Sequence, residues 1–171
     1  AARLTGDTQI RFAVLVHDLG KGATPETAWP AHHGHEERGV ALIHALCDRY
    51  RVPNQYRELA VLVSRHHPDC HRIREMRPET LLKKLEAIDA FRRPERFEQF
   101  LLACEADARG RTGLAGCDYP QADYFRRALG AAKQIDTQTL IDKGLEGTKI
   151  AEEIRLKRIN ALREIVKTGA E

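Results

Sequence analysis

His17 and Asp18 stand side by side where the apolar run of "RFAVLVHDLGKG" stops. An imidazole and a carboxylate together can hold a divalent cation. The plainer role of this stretch is a helix C-terminus, because Gly20 and Gly22 permit a left-handed stop and Lys21 suits the negative end of the dipole. Extending other apolar stripes by one helical step adds to the set. Tyr56, Leu59 and Val63 lead to His67; Phe97, Leu101 and Cys104 lead to Asp107. Leu46, Leu42 and Gly39, followed backwards, lead to His35. Any one of these histidines can be a hydrogen-bonded core residue, and Asp107 can pair with Arg109 or Arg111. Four inward ionisable groups near helix ends are harder to explain singly, since a buried unpaired carboxylate is costly and a shared cation relieves it. Mixed imidazole and carboxylate ligation suits a divalent transition metal rather than calcium. His32, His33 and His66 are expected to be solvated loop or surface residues.

Helices must position these groups, and the periodicity predicts an all-α chain. A largely buried helix is expected over 8–19, and a second over 35–50 with Val40, Ile43, Leu46 and Cys47 inward. Pro53, Pro78 and Pro94 each open a further helix, the fourth carrying Leu81, Leu85 and Ile88. Asp89, in "LEAIDAFRR", also ends a stripe and competes with Asp107, which is preferred. Glycines and a proline interrupt the pattern at "RGRTGLAGCDYPQ", so the predicted division is 1–111, then a helical tail at 112–171. Helices are expected in the tail around 121–134, near 137–143 and at 148–167.

A length of 171 residues, 42% hydrophobic and 31% charged, describes an ordinary globular chain with room for a real core. No stretch approaches the ~18 apolar residues of a membrane span and no signal-peptide pattern appears, so a cytoplasmic location is expected. The start "AARLTGDTQI" lacks Met and reads as cut from a longer protein. Cys47, Cys70, Cys104 and Cys117 show no CxxC spacing and are expected to be reduced thiols. A net charge of +3 is too small to argue nucleic-acid binding by itself.

The motifs "HDLGKG", "HHGHEERG", "RHHPDCH" and "EADARGR" together resemble the HD-domain phosphohydrolases. More closely, "RFAVLVHDLGKGATPETAWPAHHGHEERG", "DAFRRPERFEQFLLACEADARGRTG", "DYPQ" and "RLKRINAL" are similar to the C-terminal half of bacterial multifunctional CCA-adding tRNA nucleotidyltransferases. The resemblance implies a helical HD bundle in which His17, Asp18 and Asp107 bind a divalent metal, of which Ni, Mn, Co and Mg are the candidates. It implies additional phosphate, metal or proton-transfer roles for His35, His67 and His71, with Lys21 or Arg111 neutralising phosphate charge. The family's first histidine lies further upstream of His17 than this chain reaches, so one ligand is expected to be missing.

The activity implied is metal-dependent hydrolysis of phosphomonoesters, 2′-nucleotides and 2′,3′-cyclic nucleotides, within a protein that matures and repairs tRNA CCA ends. The Gly-Ser motif and paired aspartates of the nucleotidyltransferase part are absent here, so CCA addition is not expected from this chain. The alternative is a catalytically weak RNA-binding body that supports an upstream nucleotidyltransferase domain. Its signal is basic: from Lys149 to Lys167 cations outnumber acids, and Arg155, Lys157 and Arg158 fall within one turn as candidate tRNA contacts. A (p)ppGpp or dNTP hydrolase is a third option that the tail resemblance disfavours.

Overall fold

Asp7 opens the first helix, α1 (Thr8–Val16), its carboxylate accepting from the backbone N–H of Gln9 at 2.8 Å and of Ile10 at 3.3 Å. The computed structural model describes residues 1–135, 139 and 146–168, and every regular element among them is helical. α1 is shorter and wetter than the pattern predicts. It buries Ile10, Ala13 and Val16 while Leu15 is 79% exposed. After His17 the chain tightens into a 3₁₀ turn, Leu19–Ala23. There Gly20 lies so close to the next helix, α2 (His35–Arg49), that a Cβ would collide with the His35 carbonyl oxygen and the Gly39 nitrogen.

α3 (Asn54–His71) follows directly after Pro53. Gly39 plays the same part between α2 and α3, where a side chain would strike Ser64 Oγ. That close approach dictates the inward stripe of α2, which runs His35, Gly39, Ile43 and Cys47. The expected route through Leu46 and Leu42 is therefore corrected: Leu42 is exposed and Leu46 only half-buried. Prolines start α4 (Pro78–Ala87), α5 (Pro94–Ala108) and α6 (Pro120–Lys133), and the long α7 spans Gly147–Thr168. The expected helix near 137–143 lies, apart from Thr139, outside the described residues.

The chain forms two compact units. Residues 1–71 and 95–119 make the first, with α1 and α2 packed on α3. Within it α5 is tied by Gln99 Nε2 donating to Asp7 Oδ2 at 2.9 Å, and by Arg96 paired with Glu58 at 3.2 Å. The second contains 72–94 and the chain from Pro120 on, with α4 and α6 packed on α7, which contributes Ile159 and Leu162 to the core. These units differ from a linear division at 111/112. The chain leaves the first after His71 and re-enters it at Glu95, so the Gly-rich stretch up to Tyr119 stays with α5. All four cysteines are free, three of them buried and Cys117 exposed. Among the described residues no helix is long and apolar enough to cross a membrane.

Candidate metal centre

Each histidine of the first unit's polar cluster spends one ring nitrogen on a hydrogen bond, and that choice fixes the other. His17 caps α1 and its Nδ1 lies 2.8 Å from the Val14 carbonyl. His35, the first residue of α2, places Nδ1 3.0 Å from the His32 carbonyl. His32 holds that carbonyl in place from a left-handed conformation, φ 51, which histidine tolerates better than most residues. His67 points Nδ1 at the Val63 and Ser64 carbonyls, 3.0 and 3.1 Å away. Pro68 makes the second contact available, because a proline inside α3 cannot donate to the Ser64 carbonyl one turn back. Carbonyls only accept, so Nδ1 carries the hydrogen in all three rings, and in the neutral, metal-binding form Nε2 holds the lone pair.

Those three Nε2 atoms converge on two carboxylates. His17 Nε2 is 3.3 Å from Asp18 Oδ2 and 3.5 Å from Asp107 Oδ1. Asp18 Oδ1 lies 3.3 Å from His35 Nε2 and 3.6 Å from His67 Nε2. In neutral imidazoles this sets lone pairs against lone pairs. His17 Nε2, His35 Nε2 and Asp18 Oδ1 are all buried without a hydrogen-bond partner. A cation among them satisfies every one, so the donor set fits a divalent metal ion.

The electrostatics carry the same demand. Burial disfavours the charged form of His17, yet Asp107 and Asp18 outweigh it and raise its pKa to about 10. Burial first, and then the charge of His17, pushes His67 down to about 4, which leaves its lone pair available at neutral pH. Burial opposes ionisation of Asp18 and Asp107 as well. His17 and Lys21 nevertheless hold Asp18, and His17 and His71 hold Asp107, well below the usual carboxylate range.

Two triplets of ligand atoms lie within 4.8 Å of one another among the described residues: His17, His67 and Asp107, and Asp18, His35 and His67. Both need the single lone pair of His67 Nε2, so the five groups form one centre and not two independent ones. His71 stands apart from both. Its Nε2 is 2.8 Å from Asp107 Oδ2 and its Nδ1 is 2.9 Å from the Tyr119 hydroxyl, so both nitrogens are taken. Lys21 Nζ is 2.6 Å from Asp18 Oδ2, with its side chain 42% exposed.

Of the residues singled out from sequence, the fold thus brings together His17, Asp18, Lys21, His35, His67, His71 and Asp107, all in the first unit. Asp89 is in neither triplet; it lies in the second unit at φ 58, paired with Arg92 at 2.7 Å and Arg93 at 3.5 Å. Arg109 pairs with Glu105 at 2.7 Å and leaves Asp107 to the histidines. Arg155 is also in the second unit, paired with Glu86 at 3.1 Å, and Arg158 lies over the Phe91 ring at 4.2 Å. Tyr119 was not among the predicted residues. Its hydroxyl bridges His71 Nδ1 and, at 3.5 Å, Cys70 Sγ, and burial together with Cys70 and Cys104 raises its pKa so that the phenol keeps its proton. The one local signal was an aromatic hydroxyl immediately before the helix-opening Pro120.

The chain is 58% identical over 165 residues to the "Multifunctional CCA protein" of Thioalkalivibrio sulfidiphilus, an alignment covering 96% of this chain and 40% of that protein. The protein of the same name from Nitrosococcus oceani is 56% identical over 168 residues, covering 98% of this chain and 41% of the relative. That from Hahella chejuensis is 48% identical over 170 residues, 99% of this chain and 40% of the relative. The chain therefore spans about two-fifths of the length of the curated relatives it matches. No solved structure matches it. The HD domain family matches residues 1–93, which carry the His17–Asp18 pair and the His35 and His67 that converge on it, and the chain belongs to that family.

Proposed function

We propose that this chain is a metal-dependent phosphohydrolase acting on phosphomonoesters, 2′-nucleotides and 2′,3′-cyclic nucleotides, within a protein that matures and repairs the CCA end of tRNA. The observation that carries this reading is the convergence of three imidazole lone pairs on Asp18 and Asp107. His17, Asp18, His67 and Asp107 would hold the ion. When bound, such an ion supplies Lewis-acid chemistry, neutralising phosphoryl oxygens and acidifying water towards a pKa of ~7.

The chain's own residues do the rest. His71 donates Nε2–H to Asp107 and orients that carboxylate. Lys21, half-exposed beside Asp18, pairs with phosphate oxygens at the edge of the centre. His35 belongs to one triplet only, and it is the histidine able either to join the ligands through Nε2 or, after Nε2 takes a proton from solvent, to pass that proton to the leaving alkoxide. tRNA and an upstream nucleotidyltransferase domain enter this reading through the resemblance of the motifs to CCA-adding tRNA nucleotidyltransferases, with which the similarity to multifunctional CCA proteins agrees.

The test is a metal-by-substrate screen. Protein loaded in turn with Ni²⁺, Mn²⁺, Co²⁺ or Mg²⁺ is expected to release phosphate from 2′-AMP and to open 2′,3′-cyclic AMP. His67→Ala should abolish both activities together with ion binding, because it removes the lone pair that the two triplets share. No turnover with any of the four ions, or full activity in His67→Ala, overturns the reading.

A further inference from the structure

Trp29 is the only tryptophan in the chain, and 57% of its surface faces solvent. An aromatic of that size is normally well buried, so its display has to be accounted for. Its one polar atom is not what it offers: the indole N–H is donated to the Thr24 carbonyl at 3.2 Å. Three backbone bonds fix the segment around it, Ala28 to Pro25 at 2.9 Å, Trp29 to Glu26 at 3.0 Å and His32 to Ala28 at 2.8 Å. What remains for solvent is the apolar body of an indole held by that bond. The His32 ring stands beside it, with centroids 6.1 Å apart and planes inclined by 45°.

Both ends of this segment are fastened to the backbone of the metal centre. Buried Thr24 donates its hydroxyl to the carbonyl of Gly20, two residues beyond Asp18, at 3.1 Å. At the other end the His32 carbonyl is the group that orients His35. The exposed aromatic is thereby tied through backbone carbonyls to Gly20 and His35, on the two stretches of chain that carry Lys21, Asp18 and the first histidine of α2. The part of a phosphoester that a bare aromatic face recognises is a flat ring, and every nucleobase has one.

We propose that Trp29, flanked by His32, is the platform on which the nucleobase of the substrate stacks, so that the centre prefers nucleotide and RNA-end phosphates over phosphoesters without a base. This rests on the phosphohydrolase reading given above. Stacking reads a π-face and not a hydrogen-bond pattern, so discrimination among the four bases is weak and discrimination against a baseless ester is strong.

Two measurements decide it. In steady-state kinetics of the metal-loaded protein, Trp29→Ala lowers the preference for 2′-AMP over glycerol 2-phosphate by roughly tenfold, within the range that base–aromatic stacking carries. The loss appears in KM for 2′-AMP, and Trp29→Phe restores most of it. A loss shared equally by the two substrates, or an unchanged preference, overturns the platform. Independently, adenosine titrated into the wild-type protein quenches the emission of the single tryptophan saturably, whereas ribose does not. Absence of that quenching also overturns the proposal. If neither ester is hydrolysed, the phosphohydrolase reading has failed, and the adenosine titration still decides whether the platform exists.

Discussion

Asp107 and Asp89 each end an apolar helical stripe, and their surroundings could hardly differ more. Asp89, in the second unit, meets the guanidinium groups of Arg92 and Arg93 three and four residues along. Donors and acceptors there match, and the arrangement is complete. Asp107, in the first unit, has one oxygen hydrogen-bonded to His71 and the other 3.5 Å from His17 Nε2, which must bind a proton or a metal ion to be matched, since the ring's Nδ1–H is committed to Val14. In the basic helix of the second unit Arg155 repeats the first pattern, paired with Glu86, whereas Arg158 lies over the face of Phe91 with its buried Nε unpaired. Burial of a charge does not distinguish a site from a salt bridge. An unbalanced count of protons and lone pairs does.

The comparison is most easily broken at the two carboxylates themselves. Asp107→Asn should lower both divalent-ion affinity and phosphatase turnover by more than ~100-fold, exceeding what loss of a residue that only supports a ligand costs. Asp89→Asn should change turnover little and stability by no more than ~0.5 kcal/mol, because asparagine tolerates the left-handed backbone at that position. Isothermal titration with Mn²⁺ beside phosphate-release assays gives both numbers. Equal losses, or the reverse order, would move the ligand role to Asp89 and undo the contrast.

A smaller effect is expected one layer back from the ligands. Tyr119→Phe removes the hydroxyl that meets His71 Nδ1, while the ring and its packing remain. His71 then keeps its bond to Asp107 but loses what fixes its own orientation. Ion affinity should fall by about tenfold, the lower end of the range for such supporting groups, with helix content by circular dichroism unchanged. Return of kcat to wild type at saturating metal, with the ion affinity still lowered, is the signature of a positioning role. A kcat that stays depressed at saturating metal would mean that Tyr119 reaches the substrate instead.

Much of this could be read along the chain, and what could not has a common physical cause. Helix starts were legible because proline fixes its own φ and lacks a donor: Pro78 and Pro94 are first residues of their helices and Pro53 stands one before α3, while Pro120, read only as an interruption, opens α6. Stripes of period 3.6 found His17, His67 and Asp107, since turning inward is a local property of a helix. The stripe of α2 was misplaced through Leu42 because the deciding contact, Gly39 against Ser64, joins residues that only tertiary packing brings together. Tyr119 was missed for the same reason, at 48 positions from its partner His71. Asp89 resembled Asp107 because a stripe reports direction and says nothing about what waits at its end.

The mildest test concerns α7, where the contrast predicts that a conspicuous basic cluster contributes little to RNA affinity. Duplex phosphate contacts release counterions at roughly 0.9 log unit of affinity per log unit of salt for each contact. Three contacts from Arg155, Lys157 and Arg158 would therefore give the triple glutamine variant a slope flatter by nearly three units. Arg155 and Arg158 already have internal partners, whereas among the described residues no carboxylate is found paired with Lys157. The expected change is thus about one unit, and Lys157→Gln alone should reproduce it. Arg158→Gln should act on the fold instead, costing on the order of 0.5–1 kcal/mol as its cation–π contact with Phe91 is lost. Hydrolysis of 2′,3′-cyclic AMP, which the proposed function assigns to the first unit's centre, should be unaffected by all three changes. The measurements are a salt titration of tRNA binding, thermal melts and small-substrate kinetics on the same variants. A slope flatter by nearly three units would show that both arginines leave Glu86 and Phe91 to meet phosphate, and a matched charge would then no longer mark a residue as spent.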